Sequence, residues 1–283
     1  MKTRHDDRYE NDPTPSRTII ELFRAVVRQE DREAHLALVH YRGGEEEFRL
    51  GIEYSQSADP LDRAVGAAVL AQLGWSDRTF LEETVDILIP LLDDPDPYVV
   101  HCAAVALGHR SHSRAIPHLI RHANHEDPLI RYGVVYGLSG HEDPDAIATL
   151  IGLTADEDHD VRNWAVFGIG SQIDSDSPSI RDALFAALKN ADMEVRGEAL
   201  VGLAKRKDPR AKNAILDEWK HDEISILSIE AAEELADPEL LESLHKLQYS
   251  FDLEDDSYCR SRLIAAVTAC ENRSGNTGGR WAG

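Results

Sequence analysis

"DPLIRYGVVYGLSG" at residues 127–140, "DHDVRNWAVFGIGS" at 158–171 and "ADMEVRGEALVGLAK" at 191–205 are three copies of one phrase. In each, an Asp is followed four residues later by an Arg and then by a run of small and aliphatic residues. The phrase also opens at Asp59–Arg63 and at Asp256–Arg260. Two more copies, at Asp96 and Asp222, keep the acid and carry Val100 and Ile226 in place of the Arg. The spacings between successive aspartates are 37, 31, 31, 34, 30 and 34 residues. Repetition at such a period marks an array of helical hairpins, in which each unit buries its apolar side against the next.

One copy read in full shows the hairpin. "DDPDP" (93–97) breaks the chain, because Pro cannot continue a helix and Asp favours the N-cap. "YVVHCAAVALGHR" (98–110) then reads as a helix, with Gly108 suited to its end. "SRAIPHLIRHAN" (113–124) reads as the next helix, with Ile116, Leu119 and Ile120 on one face. "HEDP" (125–128) breaks the chain again. Ala103, Ala165 and Ala199 fall three residues after the Arg position, where a small side chain lets helices approach closely.

The acids and bases of the phrase have a structural reading. Asp at the turn accepts from free backbone N–H groups and can meet an Arg projecting from the following helix. Asp127 with Arg131, Asp158 with Arg162 and Asp192 with Arg196 would then form a ladder along the stack.

On these phrases the chain resembles the HEAT-like repeats of the phycobilin-lyase type, over about residues 45–271. The resemblance implies an all-α fold, a right-handed α-α superhelix. The expected organisation is a disordered start (1–15), an N-terminal capping pair of helices (16–42), an array of about seven helix pairs (43–271) and a flexible tail (272–283). "GG" at 43–44 separates the capping pair from the array.

Composition narrows the function. The 283 residues carry 52 acidic and 30 basic side chains, a formal charge of −22. Such a surface repels phosphate backbones, which argues against nucleic acid as a partner, and it attracts a basic protein. Three cysteines make no disulfide framework and point to a reducing compartment, the cytoplasm. The first fifteen residues lack the apolar core of a secretion signal, and no apolar run is long enough to span a membrane.

No catalytic set emerges. Eight of the thirteen histidines lie between 101 and 159, and His118 and His122 are four apart, a metal-capable spacing. "HLIRH" nevertheless lacks the Glu of the zinc-protease phrase, so no metal is expected. Hydroxylases resembling this fold hold two irons with His-Glu pairs at the start of the second helix. Here those positions read His101-Cys102, Tyr132-Gly133, Asn163-Trp164 and Gly197-Glu198, so the ligand set is missing. The resemblance also keeps open a lyase-like tetrapyrrole carrier, and DNA glycosylases of this fold need a basic groove that the charge opposes.

In HEAT-like stacks the second helix of each pair lines the concave face. On that stripe lie His101, Tyr132, Tyr136 and Asn163, with Trp164 adjacent, an aromatic-rich group in a chain with 6% aromatics. The reading is a cytoplasmic scaffold or inhibitor, without enzymatic activity or cofactor, that grips a basic protein there. An immunity protein for a basic nuclease toxin is one concrete form.

Overall fold

The computed structural model describes residues 12–26, 28, 36–221, 223–250 and 257–277, and every regular element among them is helical. The chain divides into two compact units, 1–141 and 142–283. The first holds α1 (Ser16–Val26), α2 (Ala37–Arg42), α3 (Glu45–Ser55), α4 (Pro60–Ala71), α5 (Leu81–Leu91), α6 (Pro97–Arg110), α7 (Ile116–Ile120) and α8 (Pro128–Leu138). Helices α4, α6 and α8 stack side by side as one row, with α5 and α7 packed against α6 and α8 as their hairpin partners. The second holds α9 (Pro144–Leu153), α10 (His159–Ser171), α11 (Pro178–Ala187), α12 (Met193–Lys205), α13 (Ala211–Glu218), α14 (Ile226–Leu235), α15 (Leu241–Ser250) and α16 (Ser257–Thr277). Its row is α10, α12, α14 and α16, and α9, α11, α13 and α15 are the partners.

The turn before each row helix explains the repeated phrase. Asp59, Asp96, Asp127, Asp158 and Asp192 are N-caps whose carboxylates accept the N–H two residues on. A second acceptor stands two residues before each cap and takes the cap's own N–H: Ser57, Asp94, His125, Asp156 and Asn190, at 2.8–3.2 Å. The phrase Arg then folds back onto the turn. Arg63, Arg131, Arg162 and Arg196 each donate through Nη1 to the carbonyls five and six residues earlier, at 2.7–3.1 Å.

The ladder is therefore built differently from the simple pairing of Asp with its own Arg. The Asp spends one carboxylate oxygen on the helix it starts, and the Arg spends Nη1 on carbonyls of the incoming turn. Where the rest of the guanidinium meets a carboxylate, it belongs to another element. Arg63 is bidentate on Asp94 of the next turn, at 2.6 and 2.8 Å, and Arg196 is bidentate on Glu218 of α13, at 2.8 and 2.9 Å. These bonds fix the angle at which the chain enters each row helix and join neighbouring hairpins.

Row helices pack almost backbone to backbone. A Cβ added at Gly108 of α6 would lie 3.1 Å from the Gly137 Cα of α8, and one added at Gly202 of α12 would lie 2.7 Å from the Gly170 Cα of α10. Counted from the capping Asp, both pairs join position twelve of one helix to position ten of the next. Gly108 is thus an interior contact point rather than a helix end. The end of α6 is Arg110, followed by Ser111 in the left-handed region at φ 48°.

Other expectations shift. The helix expected over 113–124 is a 3-10 turn at Ser113–Ala115 and the short α7, so His122 lies beyond it and shares no helical face with His118. Asp222 and Asp256 lie outside the described residues, and the cap of α14 is Ser225. Within the expected capping pair, residues 29–35 are outside the described residues and the second helix is α2. At the other end α16 runs on to Thr277, past the expected limit at 271, while Trp281 is outside the described residues.

Gly202→Ala is expected to destabilise the protein by about 1–3 kcal/mol, because no flexible side chain can yield in place of the Gly170 backbone. Gly152→Ala, in α9 with nothing within 4 Å of the added Cβ, is expected to stabilise by about 0.5–1 kcal/mol. Urea unfolding of the two variants measures both.

Candidate partner-binding face

Each row turns one side toward its hairpin partners and leaves the other free. Positions five, six and nine after the capping Asp lie on that free side. In the first unit the N-terminal segment packs on this side of α4 and α6. Helix α1 buries Ile19, Ile20 and Phe23. Its Arg17 is bidentate on Glu53 of α3 at 2.9 and 2.8 Å, and its Arg24 pairs with both Asp59 and Asp62 at the start of α4. The Arg28 guanidinium lies over the Tyr98 ring of α6, 4.7 Å from its centroid. Beneath this layer a cleft of about 520 Å³ remains, in which Phe23, Leu36 and His40 face Ala68 of α4 and His101, Val105 and His109 of α6.

Three of the five residues singled out from the sequence belong to the first unit, and of these His101 lines the cleft. His101 is only 6% exposed, donates from Nδ1 to the Leu129 carbonyl at 3.1 Å, and lies against Tyr132 with ring centroids 5.7 Å apart. Its surface is consumed inside the unit, so it is a packing residue rather than an anchor. The Tyr136 hydroxyl lies 3.2 Å from Nε2 of His109, and the two rings meet edge-on. Tyr132 and Tyr136 are both half-buried on α8.

The other two belong to the second unit. Asn163 and Trp164, with Phe167, Glu194 and Glu198, line a pocket of about 550 Å³ on the free side of α10 and α12. Trp164 and Phe167 pack edge-to-face at 5.5 Å. Asn163 Nδ2 donates to Glu194 at 3.4 Å, and the Ser171 hydroxyl donates to Glu198 at 3.0 Å. Burial, reinforced by the nearby Glu230 and Glu194, holds the Glu198 carboxyl above the usual carboxylate range. Lys205 borders this group, donating to the Ser171 carbonyl at 3.0 Å. Glu194 and Glu198, two and six residues after Asp192, were not among the partner-binding residues chosen from the sequence, and they border the stripe of positions five and nine.

Two arginines were also missed, and their role is structural. Arg110 and Arg206 both stand fourteen residues after a capping Asp and are buried. Arg110 donates to the carbonyls of Leu73 and Thr79, and Arg206 donates to those of Ile169, Gly170, Ile173, Ser175 and Gly202. Burial brings the Arg110 guanidinium down to about 10. The signal was a basic residue recurring at position fourteen. It is buried because backbone carbonyls solvate it in place of water.

Rows of N-capped helices, joined by clamped turns and backed by a second set of helices, define an α-helical repeat protein. The family model for HEAT repeats matches residues 50–125, 85–170 and 152–236, and the chain belongs to that family. It is 31% identical over 242 residues to Protein YibA of Escherichia coli K12, covering 82% of this chain and 85% of YibA. The X-ray structure of E. coli YibA aligns with a TM-score of 0.65 at 27% identity, over 96% of this chain and 98% of that one. An engineered protein of known crystal structure aligns at 17% identity with a TM-score of 0.50, over 91% of this chain and 81% of its own, a likeness of fold alone. No described helix is long and apolar enough to cross a membrane.

The N-terminal layer carries a pH dependence. His40 is 6% exposed, donates from Nε2 to the Ala68 carbonyl at 3.0 Å, and is pushed down to about 4, chiefly by burial. The unfolded chain therefore takes up the proton first as pH falls, and stability that is full above about 6.5 drains away down to about 4. The loss attributable to His40 is about 3 kcal/mol at most. Urea unfolding from pH 7 to 4.5 should show a steeper fall for the wild type than for His40→Gln, and parallel curves would refute the assignment.

Proposed function

We propose that the chain is a non-enzymatic scaffold or inhibitor that binds a basic protein on the free side of its repeat rows. The observation that carries this reading is the pocket of the second unit, where Trp164 and Phe167 meet Glu194 and Glu198. Aromatic side chains supply contact area at little entropic cost, and the half-buried Glu198 beside the exposed Glu194 favours a cation over any neutral group. The formal charge of −22 supports the same choice of partner, since the whole surface draws a basic protein in and speeds the encounter. Nothing in this arrangement requires a cofactor. An immunity protein that masks a basic nuclease toxin is one form of the reading, because masking needs only shape and opposite charge. The cysteine usage supports a cytoplasmic setting for this activity.

The test is purification of the tagged full chain from the cells that make it, at about 50 mM and about 500 mM salt, with mass spectrometry of what co-purifies. The expected result is a stoichiometric protein of basic composition at low salt that is lost at high salt. A stoichiometric partner that is acidic, or indifferent to salt, would contradict the proposal.

A further inference from the structure

The two units treat the same face differently. Counted from the capping Asp, Phe167 of α10 stands where Ala68 of α4 and Val105 of α6 stand, and Trp164 and Glu198 stand where Cys102 stands. In the first unit those positions lie under Phe23, Leu36 and His40 of the N-terminal segment. In the second unit they line the 550 Å³ pocket. The first unit therefore displays, within one chain, what this face of the repeat accepts: a helical segment, with Phe23 from α1 and Leu36 and His40 from the start of α2 toward the row, and arginines at its edges, Arg24 in α1 and Arg28 just beyond it. Arg24 takes the acids Asp59 and Asp62, and Arg28 takes the aromatic ring of Tyr98.

The second unit offers the same two kinds of receptor with the balance moved toward charge. Its aromatic surface is Trp164 against Phe167, and its acids are Glu194 and Glu198. Glu198 is only partly satisfied by the Ser171 hydroxyl, with Lys205 at the border. A cation placed between the Trp164 ring and Glu198 would make a cation–π contact and a charge-assisted hydrogen bond at once.

We infer that the Trp164–Phe167–Glu194–Glu198 pocket docks an amphipathic helix of a partner protein, seating an arginine or lysine side chain between Trp164 and Glu198 as α1 seats its arginines on the first unit. This deepens the scaffold reading and rests on it. The occupant is chosen by charge: an acidic helix meets two carboxylates here, and a purely apolar one leaves them buried without a counter-charge.

The experiment uses the full chain and two fluorescein-labelled helical peptides of one Ala-Leu pattern, one with Arg and one with Glu at the charged positions, read by anisotropy at about 50 mM salt. The Arg peptide is expected to bind and the Glu peptide not. Trp164→Ala and the isosteric Glu198→Gln are each expected to weaken the Arg peptide about tenfold or more. Glu83→Gln/Glu126→Gln, which removes two exposed charges in the other unit, is expected to change it less than about twofold. Circular dichroism melts establish that each variant is folded, and Glu198→Gln carries the test should Trp164→Ala not fold. Equal binding of the two peptides, or equal losses in the pocket and control variants, overturns the inference. Tighter binding by Trp281→Ala overturns it too, giving the pocket to the chain's own C-terminus. The two readings fail separately. A basic partner whose capture is untouched by Glu198→Gln removes the pocket and leaves the scaffold. Site-dependent peptide binding with no basic partner captured does the reverse.

Discussion

Every hairpin array must solve the same problem at its turns: the chain reverses, and the backbone groups on either side lose their helical partners. Here the solution is carried by side chains at fixed positions. The capping Asp takes an N–H inside the helix, the residue two before it takes the Asp's own N–H, and the Arg four after it takes two carbonyls of the incoming strand of chain. A turn held from both sides enters the next helix at one angle. The glycines can then bring Gly170 within van der Waals reach of Gly202 without further adjustment. Where the Arg also reaches a carboxylate of another element, as Arg196 does on Glu218, the clamp links one hairpin to the next.

Much of this architecture was legible because it repeats. The Asp–Arg spacing located four capped row helices and the lone Asp96 a fifth, and Pro follows the cap in three of the five. What remained hidden were features without a repeated letter. The acceptor before the cap is Ser, Asp, His, Asp and Asn in turn, five identities with one hydrogen-bonding role, so no motif marks it. Arg110 and Arg206 share position fourteen, but the intervening copies place His141 and Gln172 there. The shortness of α7 was equally unreadable, since "AIPHLIRH" has helical periodicity and its ending is imposed by packing. The division at residue 141 follows Ser139 in extended backbone and Gly140 at φ 79°.

The binding face shows the same mixture. The stripe was read from the helical period, and Trp164 and Asn163 line one pocket. The period could not reveal that the N-terminal segment packs on that side of α4 and α6, because the contact joins segments far apart in sequence and depends on single arginines finding Asp59, Asp62 and Tyr98. His101 was chosen as surface and is buried, its Nδ1 on the Leu129 carbonyl and its ring against Tyr132. The acids Glu194 and Glu198 were lost among 52 acidic residues, and only their place beside Trp164 distinguishes them. One repeat chemistry thus yields a face partly covered by the chain itself in one unit and an acidic, aromatic pocket in the other.

The clamped turn is the claim on which all of this stands, and native-state hydrogen exchange tests it most directly. The amides of Asp158 and Asp192, which a turn without side-chain acceptors would expose to solvent exchange, are predicted to be protected nearly as long as amides in the middle of α10 and α12. Rapid exchange at these amides while the helix interiors stay protected would contradict the account, because the helices would then be stacking without the turns that are said to place them.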